Sequence, residues 1–214
     1  MQFPIDSSVN CAGQSCGRTI ALVMNPTSKV VTHLVVKENH LLHHNQRLVP
    51  VGQIVRTAVD TIELQCTKPK LAVMPLFHMR HYLHVIMPQT KSAGSGSFGF
   101  PYVVPNPKAK WTFVVEENIP LNEISIHRHA KVLATDGQLG KIDNFLVDRD
   151  NFNITHLILC EGHIWRHKDI QIPVADIWQF SEQTVHLKLN KKEVARLPIV
   201  CAHAPRYLGI TSNC

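Results

Sequence analysis

Strand-length runs of apolar residues, separated by polar turn residues, dominate the second half of the chain. Lys131–Ala134 is followed by an Asp-Gly pair at residues 136 and 137, a dipeptide typical of tight hairpin turns. Leu139–Asp148 and the β-branched run Ile154–Cys160 then have the length and composition of strands. The remaining predicted elements are strands at Asp169–Val174, Ile177–Phe180 and Thr184–Leu189, and one helical turn that Asn190 caps and Pro198 ends.

Residues 1–77 follow the same course with weaker turn residues. Ala12–Ser15 stands where the second half has Thr135–Gln138, and Asn25–Ser28 stands where it has Asp148–Asn151. Five or six short strands at roughly 8–12 residue spacing are typical of a small closed antiparallel barrel. The pattern therefore predicts an all-β protein made of two small antiparallel β-barrels.

The two halves are related by a sequence repeat with a constant offset of 123 residues. Val31–Val36 returns as Ile154–Leu159, and Val49–Val51 returns as Ile172–Val174. A fixed register over roughly 65 residues predicts two copies of one domain. The repeat is also an internal control, because a residue found in both copies is expected to serve the fold, whereas a residue found in one copy is a better candidate for a specific role. The shared positions that we assign to the fold are Gly17 and Gly140, His33 and His156, His40 and His163, and Pro50 and Pro173.

The repeat divides the chain into a first domain at residues 1–77, a linker at 78–118, a second domain at 119–200 and a tail at 201–214. Within the linker, Ser92–Ser97 is rich in Gly and Ser and is expected to be flexible. Phe98–Pro107 is apolar and contains three prolines, which favour an extended conformation. This stretch either covers the edge of a barrel or offers a docking strand to another protein.

Aromatic and basic residues that the repeat does not share are the candidates for protein interaction. The patch Trp165–Lys168 combines an aromatic ring with positive charge, whereas its counterpart Leu42–Asn45 has neither. The candidates are Phe98, Phe100, Tyr102, Trp111, Trp165, Arg166 and Lys168.

The formal net charge is +6, and most of the surplus lies in the first copy and the linker. Residues 1–77 carry seven Lys and Arg against four Asp and Glu, and residues 78–118 carry four against two. Such a balance suits an acidic partner, such as RNA, anionic lipid or an acidic protein face. Ordinary solubility is the simpler interpretation, because no run of Lys or Arg is longer than two residues.

The six cysteines indicate a reducing environment. No pair has C-x-x-C spacing, and no repeat position carries Cys in both copies, as a disulfide framework of the domain would require. We therefore expect free thiols and a cytoplasmic location. No apolar run approaches the length of a membrane span, and residues 1–10 do not have the pattern of a signal peptide.

Three unshared histidines, His78, His81 and His84, have the spacing of ligands on one helix face. On a helix they could bind Zn²⁺, Ni²⁺ or haem iron. No Cys or carboxylate cluster completes a recognised ligand set nearby, and so no cofactor is predicted.

Motifs of catalysis are absent from the sequence. It contains no G-x-S-x-G, no P-loop, no dinucleotide-binding glycine pattern and no H-E-x-x-H. The aspartates at 136, 143, 148 and 150 stand in or beside predicted turns, where hydrogen bonding to the backbone explains them. The chain is therefore not predicted to be an enzyme.

The second copy resembles the PRC-barrel family, which is named for the cytoplasmic domain of the photosynthetic reaction centre H subunit. The residues that carry the resemblance are Val132–Asp148, Ile154–His163 and Asp169–Ile177, and the first copy matches more loosely. The resemblance implies a compact β-barrel used as an adaptor. Members occur in reaction-centre H subunits, in a ribosome-maturation factor whose barrel contacts a ribosomal protein, and in small bacterial and archaeal proteins.

The sequence thus predicts a non-enzymatic adaptor of two barrels that docks onto a protein complex. The barrels are expected to pack as a pseudo-twofold pair within a monomer, because a duplication imitates a homodimer interface, and the alternative is a homodimer of the chain. One alternative is an RNA- or ribosome-associated assembly factor, favoured by the net charge. Two further alternatives are a peripheral subunit of a photosynthetic or other membrane complex and a metal- or haem-binding protein that uses its histidines.

Overall fold

The structure is a computed structural model that describes residues 1–39, 45–58, 60–86, 109–128, 130–161 and 168–200. Strands make up most of the described chain, and its two α-helices are short, which confirms the predicted all-β class. The strands are β1 Gln2–Pro4, β2 Ser8–Cys11, β3 Gln14–Met24, β4 Val31–Glu38, β5 Gln46–Pro50, β6 Ile54–Ala58, β7 Thr61–Leu64, β8 His78–Ile86, β9 Ala109–Glu117, β10 Ile124–His127, β11 Lys131–Ala134, β12 Gly137–Val147, β13 Ile154–Glu161, β14 Lys168–Pro173, β15 Ile177–Phe180, β16 Thr184–Leu187 and β17 Ile199–Val200. The helices are α1 Lys68–Ala72 and α2 Lys191–Val194, and single 3-10 turns lie at Val51–Gln53 and Val174–Asp176.

The strands form two mixed sheets and a separate two-stranded sheet. The sheet of the first half has the order β5-β4-β3-β2-β7-β6, and that of the second half has the order β15-β16-β11-β12-β13-β14-β17. Each is mixed rather than antiparallel, because β2 pairs with β7, and β11 with β16, in parallel. Among the described residues the end strands of each sheet do not pair with each other, so the predicted closed barrel is not observed.

The sequence repeat is preserved in the register of the two sheets. Val9 lies opposite Ile62, and at an offset of 123 residues Val132 lies opposite Val185. In the same way His33 pairs with Pro50, and His156 pairs with Pro173. The bulges also correspond, since the register shifts between β6 and β7 and between β15 and β16 fall at equivalent residues. That the halves arose by duplication of a PRC-type barrel stays a prediction.

Each half gives one strand to the sheet of the other half. β1 pairs with β12, where Phe3 lies opposite Phe145, and β10 pairs with β3, where Ile126 lies opposite Leu22. These two pairs are related by the same 123-residue offset, so the exchange is reciprocal. The exchange gives the two halves a local pseudo-twofold relationship.

Apolar side chains from both halves form one buried cluster. Phe3, Ile126 and Phe145 are fully buried in it, together with core residues of both sheets. Met1–Phe77 and Ile119–Cys214 accordingly form one compact unit, and His78–Asn118 forms a second unit. The second unit has the bounds of the predicted linker, but its described residues are the paired strands β8 and β9.

The two halves stabilise their first hairpin turn in different ways. In the second half Gly137 adopts a φ of 128°, and the Asp136 carboxylate accepts a hydrogen bond from the backbone N–H of Lys191 at 3.0 Å. In the first half a disulfide joins Cys11 to Cys16 across the equivalent turn. The prediction of free thiols is therefore wrong for this pair, because the two cysteines bracket one hairpin turn, whereas Cys66 is free and buried.

Candidate docking surfaces

The helix on which three histidines could share a face is not formed in the structure. His78, His81 and His84 lie on strand β8 rather than on a helix. Side chains three residues apart on a strand point to opposite faces, so His78 and His81 do not share one. The His81 imidazole instead lies 3.6 Å from the Glu116 carboxylate. No group of three or more potential metal ligands occurs among the described residues.

Most of the predicted interaction residues lie outside the described residues. These are Phe98, Phe100, Tyr102, Trp165 and Arg166. The repeat histidines His40 and His163, which were assigned to the fold, also lie outside the described residues. Trp111 is placed on β9 with its Cα opposite His84, and Lys168 is placed on β14 opposite Glu161.

The repeat residues that the structure describes lie within the sheets. A Cβ atom on Gly17 would lie only 2.4 Å from the Lys37 carbonyl oxygen, so β3 and β4 approach too closely there for any side chain. His33 Nδ1 lies 2.9 Å from the Thr32 hydroxyl, whereas the buried Nδ1 of His156 has no hydrogen-bond partner among the described residues. The two histidines therefore share a register position but not a hydrogen-bond pattern.

Glu123 distinguishes the surroundings of His33 from those of His156. The Thr32 hydroxyl donates to the Glu123 carboxylate at 2.5 Å, and that carboxylate lies 3.9 Å from His33 Nδ1. Burial lowers the pKa of His33, and the nearby negative charge of Glu123 partly opposes this effect. The arrangement favours a neutral imidazole.

An ion-pair network lies where β1 crosses onto the second-half sheet. The Arg128 guanidinium contacts Asp6 at 2.5 Å and Asp143 at 3.3 Å, and Asp6 also pairs with Arg18 at 3.1 Å. Asn144 donates to Asp143 and accepts from the backbone N–H of Ile5. Since each carboxylate is held by a guanidinium at the strand crossing, we assign the network to joining the halves rather than to acid–base chemistry.

A cleft of about 310 Å³ lies beside the disulfide. Its polar lining residues are Ser15, Glu38, Asn39 and Lys68. One carboxylate oxygen of Glu38 already accepts a hydrogen bond from Arg47 at 2.9 Å, so it is not free to bind a ligand. The described lining contains no pairing of a nucleophile with a base.

The outer edge of β15 carries an aromatic side chain that is more exposed than Phe113. Trp178 is 67% exposed and lies at the bulge where the β15–β16 register shifts. Its indole ring meets the His186 imidazole edge to face, with 6.2 Å between the ring centroids. β15 is the end strand of its sheet, so the edge that carries this tryptophan pairs with no described strand.

The first half has an equivalent edge with different chemistry. Val55 occupies the repeat position of Trp178 and is 64% exposed, so the bulge turns this position outward in both halves. Beside it, Arg56 donates two 2.8 Å hydrogen bonds to the Glu63 carboxylate. Charged residues on an edge strand discourage pairing with another chain. The fold thus explains an outward residue here, but it does not explain why the second half has a tryptophan.

Two lysines lie at the ends of β15. Lys188 donates to the Ala175 carbonyl oxygen at 2.7 Å, and Lys29 Nζ lies 4.6 Å above the ring of Phe180. Burial and the charge of Lys188 lower the pKa of Lys29. Asp176 and Glu182 flank the same strand, so their two negative charges balance the positive charges of the two lysines. The edge of β15 therefore offers a partner apolar contact rather than a net charge.

The β8–β9 unit exposes apolar side chains on both faces. Phe113 and Val115 lie on one face, and Val114 lies on the other, because successive strand residues alternate. The Arg80 guanidinium lies 5.8 Å from the Phe113 ring centroid. From the sequence, Trp111 on β9 is a candidate within a predicted linker, whereas Trp178, whose repeat counterpart is Val55, is not among the candidates.

Comparison of the chain with protein-family models and with curated proteins found no match in either case. The resemblance to the PRC-barrel family therefore stays a prediction that rests on the residues quoted above. Within the described part of the chain, no helix is long and apolar enough to cross a membrane.

Proposed function

We propose that this protein is a non-enzymatic adaptor that binds an extended segment of a partner protein along the outer edge of β15. The observation that carries the proposal is Trp178, a large aromatic side chain that is 67% exposed on a sheet edge. An added strand would gain main-chain hydrogen bonds from the edge, and the indole would supply the apolar anchor. Tryptophan is enriched among the residues that dominate binding energy at interfaces.

The internal repeat supports a specific role for this residue. Val55 and Trp178 are both exposed at equivalent bulges, but the ion pair of Arg56 and Glu63 beside Val55 is replaced by Gln179 and His186 beside Trp178. We further propose that the halves are diverged PRC-type barrels, of which the first supports the fold and the second keeps the binding edge. The corresponding registers of the two sheets support this interpretation.

Affinity purification from the native cell tests the proposal, with mass spectrometry of the proteins that accompany the chain. Wild type, Trp178→Ala and Val55→Ala are compared, since the valine is the matched control on the equivalent strand. We expect a stoichiometric partner with wild type and Val55→Ala and its loss with Trp178→Ala. A partner that is retained equally by all three chains would contradict docking at β15.

A direct measurement follows with the purified partner. Titration of the partner into wild type and Trp178→Ala should show binding that weakens at least about tenfold in the variant, as expected for an interface anchor. Unchanged melting temperatures would show that the variant is folded. If nuclease treatment removed the associated material, the alternative of RNA binding would replace protein docking.

A further inference from the structure

Strand β9 has the composition of a strand that pairs on both sides. Its centre, residues 112–115, is Thr-Phe-Val-Val, without a charge or a proline. Phe113 is 57% exposed, and Val114 and Val115 are also exposed. A long apolar edge strand without charged residues at its centre is a template for pairing with another chain. A two-stranded sheet is also marginally stable alone in water and gains stability from further strands.

The charges of β9 are arranged for pairing with a second copy of itself. A twofold axis perpendicular to an antiparallel sheet passes through a directly opposed pair, so the central residue faces its own counterpart. With Phe113 at the axis, Lys110 of each copy lies opposite Glu116 of the other. Within Ala109–Glu117, no other centre that lies on a residue places this lysine opposite an acidic residue.

Strand β8 does not offer the same complementarity. It contains Arg80 and three histidines but no acidic residue, so self-pairing along its edge would oppose no pair of unlike charges. Like charges directly opposite each other on neighbouring strands are destabilising, whereas opposite charges contribute favourably. The distribution of charge therefore selects the edge of β9.

We propose that two copies of this chain associate through β9, in antiparallel register about Phe113, to form a four-stranded sheet of order β8-β9-β9-β8. The central pairs are Phe113 with Phe113 and Thr112 with Val114, and a lysine–glutamate pair closes each end. The proposed interface uses β9 and not β15, and it stands or falls independently of the adaptor function.

Charge exchange tests the proposed register. Lys110→Glu and Glu116→Lys should each weaken dimerisation roughly tenfold or more, because each places two like-charged pairs in the dimer. An equimolar mixture of the two variants should recover the dimer, since every cross-strand pair in the mixed species is again of opposite charge. Sedimentation of each variant and of the mixture measures the result.

Contacts within one chain cannot account for such a recovery. Lys110 lies opposite Val85 and Glu116 lies opposite Met79, and the two charged residues are about 20 Å apart along one strand. Since Glu116 also approaches His81, the variant His81→Asn is the control, and it should leave the dimer intact. A monomeric wild type, a dimer that survives both single changes, or a mixture of folded variants that stays monomeric would overturn the proposal.

A cross-linking variant gives a second readout that does not depend on charge. Phe113→Cys should form an intermolecular disulfide under mild oxidation, because directly opposed residues of an antiparallel pair have Cα atoms about 4.5–5.5 Å apart. Val55→Cys, on an exposed strand edge elsewhere, should give no more cross-linked dimer than the wild-type chain with its native cysteines. Equal cross-linking by the two variants would contradict an axis at Phe113.

Discussion

Val30 and Asn153 face each other in an antiparallel bridge, and they occupy the same position of the sequence repeat. The backbone N–H of Val31 donates to Phe152 at 3.0 Å, and that of Ile154 donates to Lys29 at 2.9 Å. These two hydrogen bonds are exchanged by the 123-residue offset, so the bridge marks the local pseudo-twofold axis. Lys29 and Phe152 both adopt positive φ there, at 63° and 56°, although neither is glycine. Each of these residues also ends a local turn, since the Lys29 N–H donates to Asn25 and the Phe152 N–H donates to Asp148, so the two halves reach their mutual contact through the same uncommon turn conformation.

The exchanged strands should make the two halves unfold together. Phe3 and Ile126 are fully buried and belong to the one core cluster that both halves share. We expect Phe3→Ala to lower the free energy of unfolding by about 3–5 kcal/mol and Ile126→Ala by about 2–5 kcal/mol. Each change should shift the melting of both halves in one transition, as measured by calorimetry and circular dichroism.

Trp178→Ala and Val55→Ala are the matched controls for the unfolding of the two core variants. Both side chains are exposed on edge strands, and their replacement by alanine should change stability by less than about 0.5 kcal/mol. Two separate melting transitions in either core variant would mean that the halves are independent domains despite the strand exchange.

Gly17 should tolerate no side chain. A Cβ atom at this position would meet the Lys37 carbonyl oxygen at 2.4 Å and the Val36 side chain at 2.9 Å. Gly17→Ala must therefore separate β3 from β4, and we expect a loss of about 1–3 kcal/mol or more in urea unfolding. Gly52→Ala is the control, because no atom lies within 4 Å of its added Cβ. Equal effects of the two changes would show that the close approach is not the cause.

The strands and their repeat could be predicted from sequence because period-two patterning and turn residues are local. Asn190 and Glu193 form the capping box of α2, and Asn190 was predicted as the cap. The exchange of β1 and β10 was not predicted, since a strand of three or four residues carries no information about which sheet it joins. The spacing of His78, His81 and His84 places ligands on one face only if the segment is helical, and sequence alone did not show that this segment pairs with β9 as a strand.

The candidate docking edge was harder to predict, and the reason is geometric. Ile177 and Phe180 are both buried, and the bulge between them leaves two successive exposed residues, Trp178 and Gln179, so side-chain alternation counted from Phe180 would have placed Trp178 inside. Comparison of the repeat positions could have identified it, since a tryptophan replaces Val55 at an otherwise equivalent place. The proposed self-pairing of β9 could not be predicted from the sequence either, because it requires residues 109–117 to form a strand, and the sequence pattern places them in a linker.

The disulfide should stabilise the first half measurably. Closing the short loop from Cys11 to Cys16 restricts the unfolded chain, and the chain-entropy relation gives about 2 kcal/mol for a loop of this length. We expect dithiothreitol to lower the free energy of unfolding by about that amount. The double variant Cys11→Ala with Cys16→Ala should be insensitive to the reductant, whereas Cys66→Ala should respond like wild type. An equal free energy of unfolding for the oxidised and the reduced protein would show that the disulfide does not stabilise the folded state relative to the unfolded chain.

The environment of His33 predicts a pH dependence of stability. Its pKa is lowered from an ordinary value near 6.5 by burial, so between the folded and unfolded pKa values the unfolded chain binds more protons than the folded one. The free energy of unfolding should therefore fall as the pH decreases from about 6.5 through the folded pKa of His33. Chemical denaturation of wild type and His33→Asn across this range measures the contribution, and the variant should show the weaker dependence on pH.

Replacement of Glu123 separates the effect of burial on the pKa of His33 from the effect of the neighbouring negative charge. Its carboxylate raises the pKa of His33 against the effect of burial, so Glu123→Gln should lower that pKa further while the amide can still accept from the Thr32 hydroxyl. NMR titration of the imidazole follows the change, with His33→Asn to assign the resonance. His156→Asn, at the equivalent position of the other half, should leave the titration of His33 unchanged. A pKa of His33 at or above 6.5 in the wild-type protein would mean that the charge of Glu123, and not burial, dominates at this site.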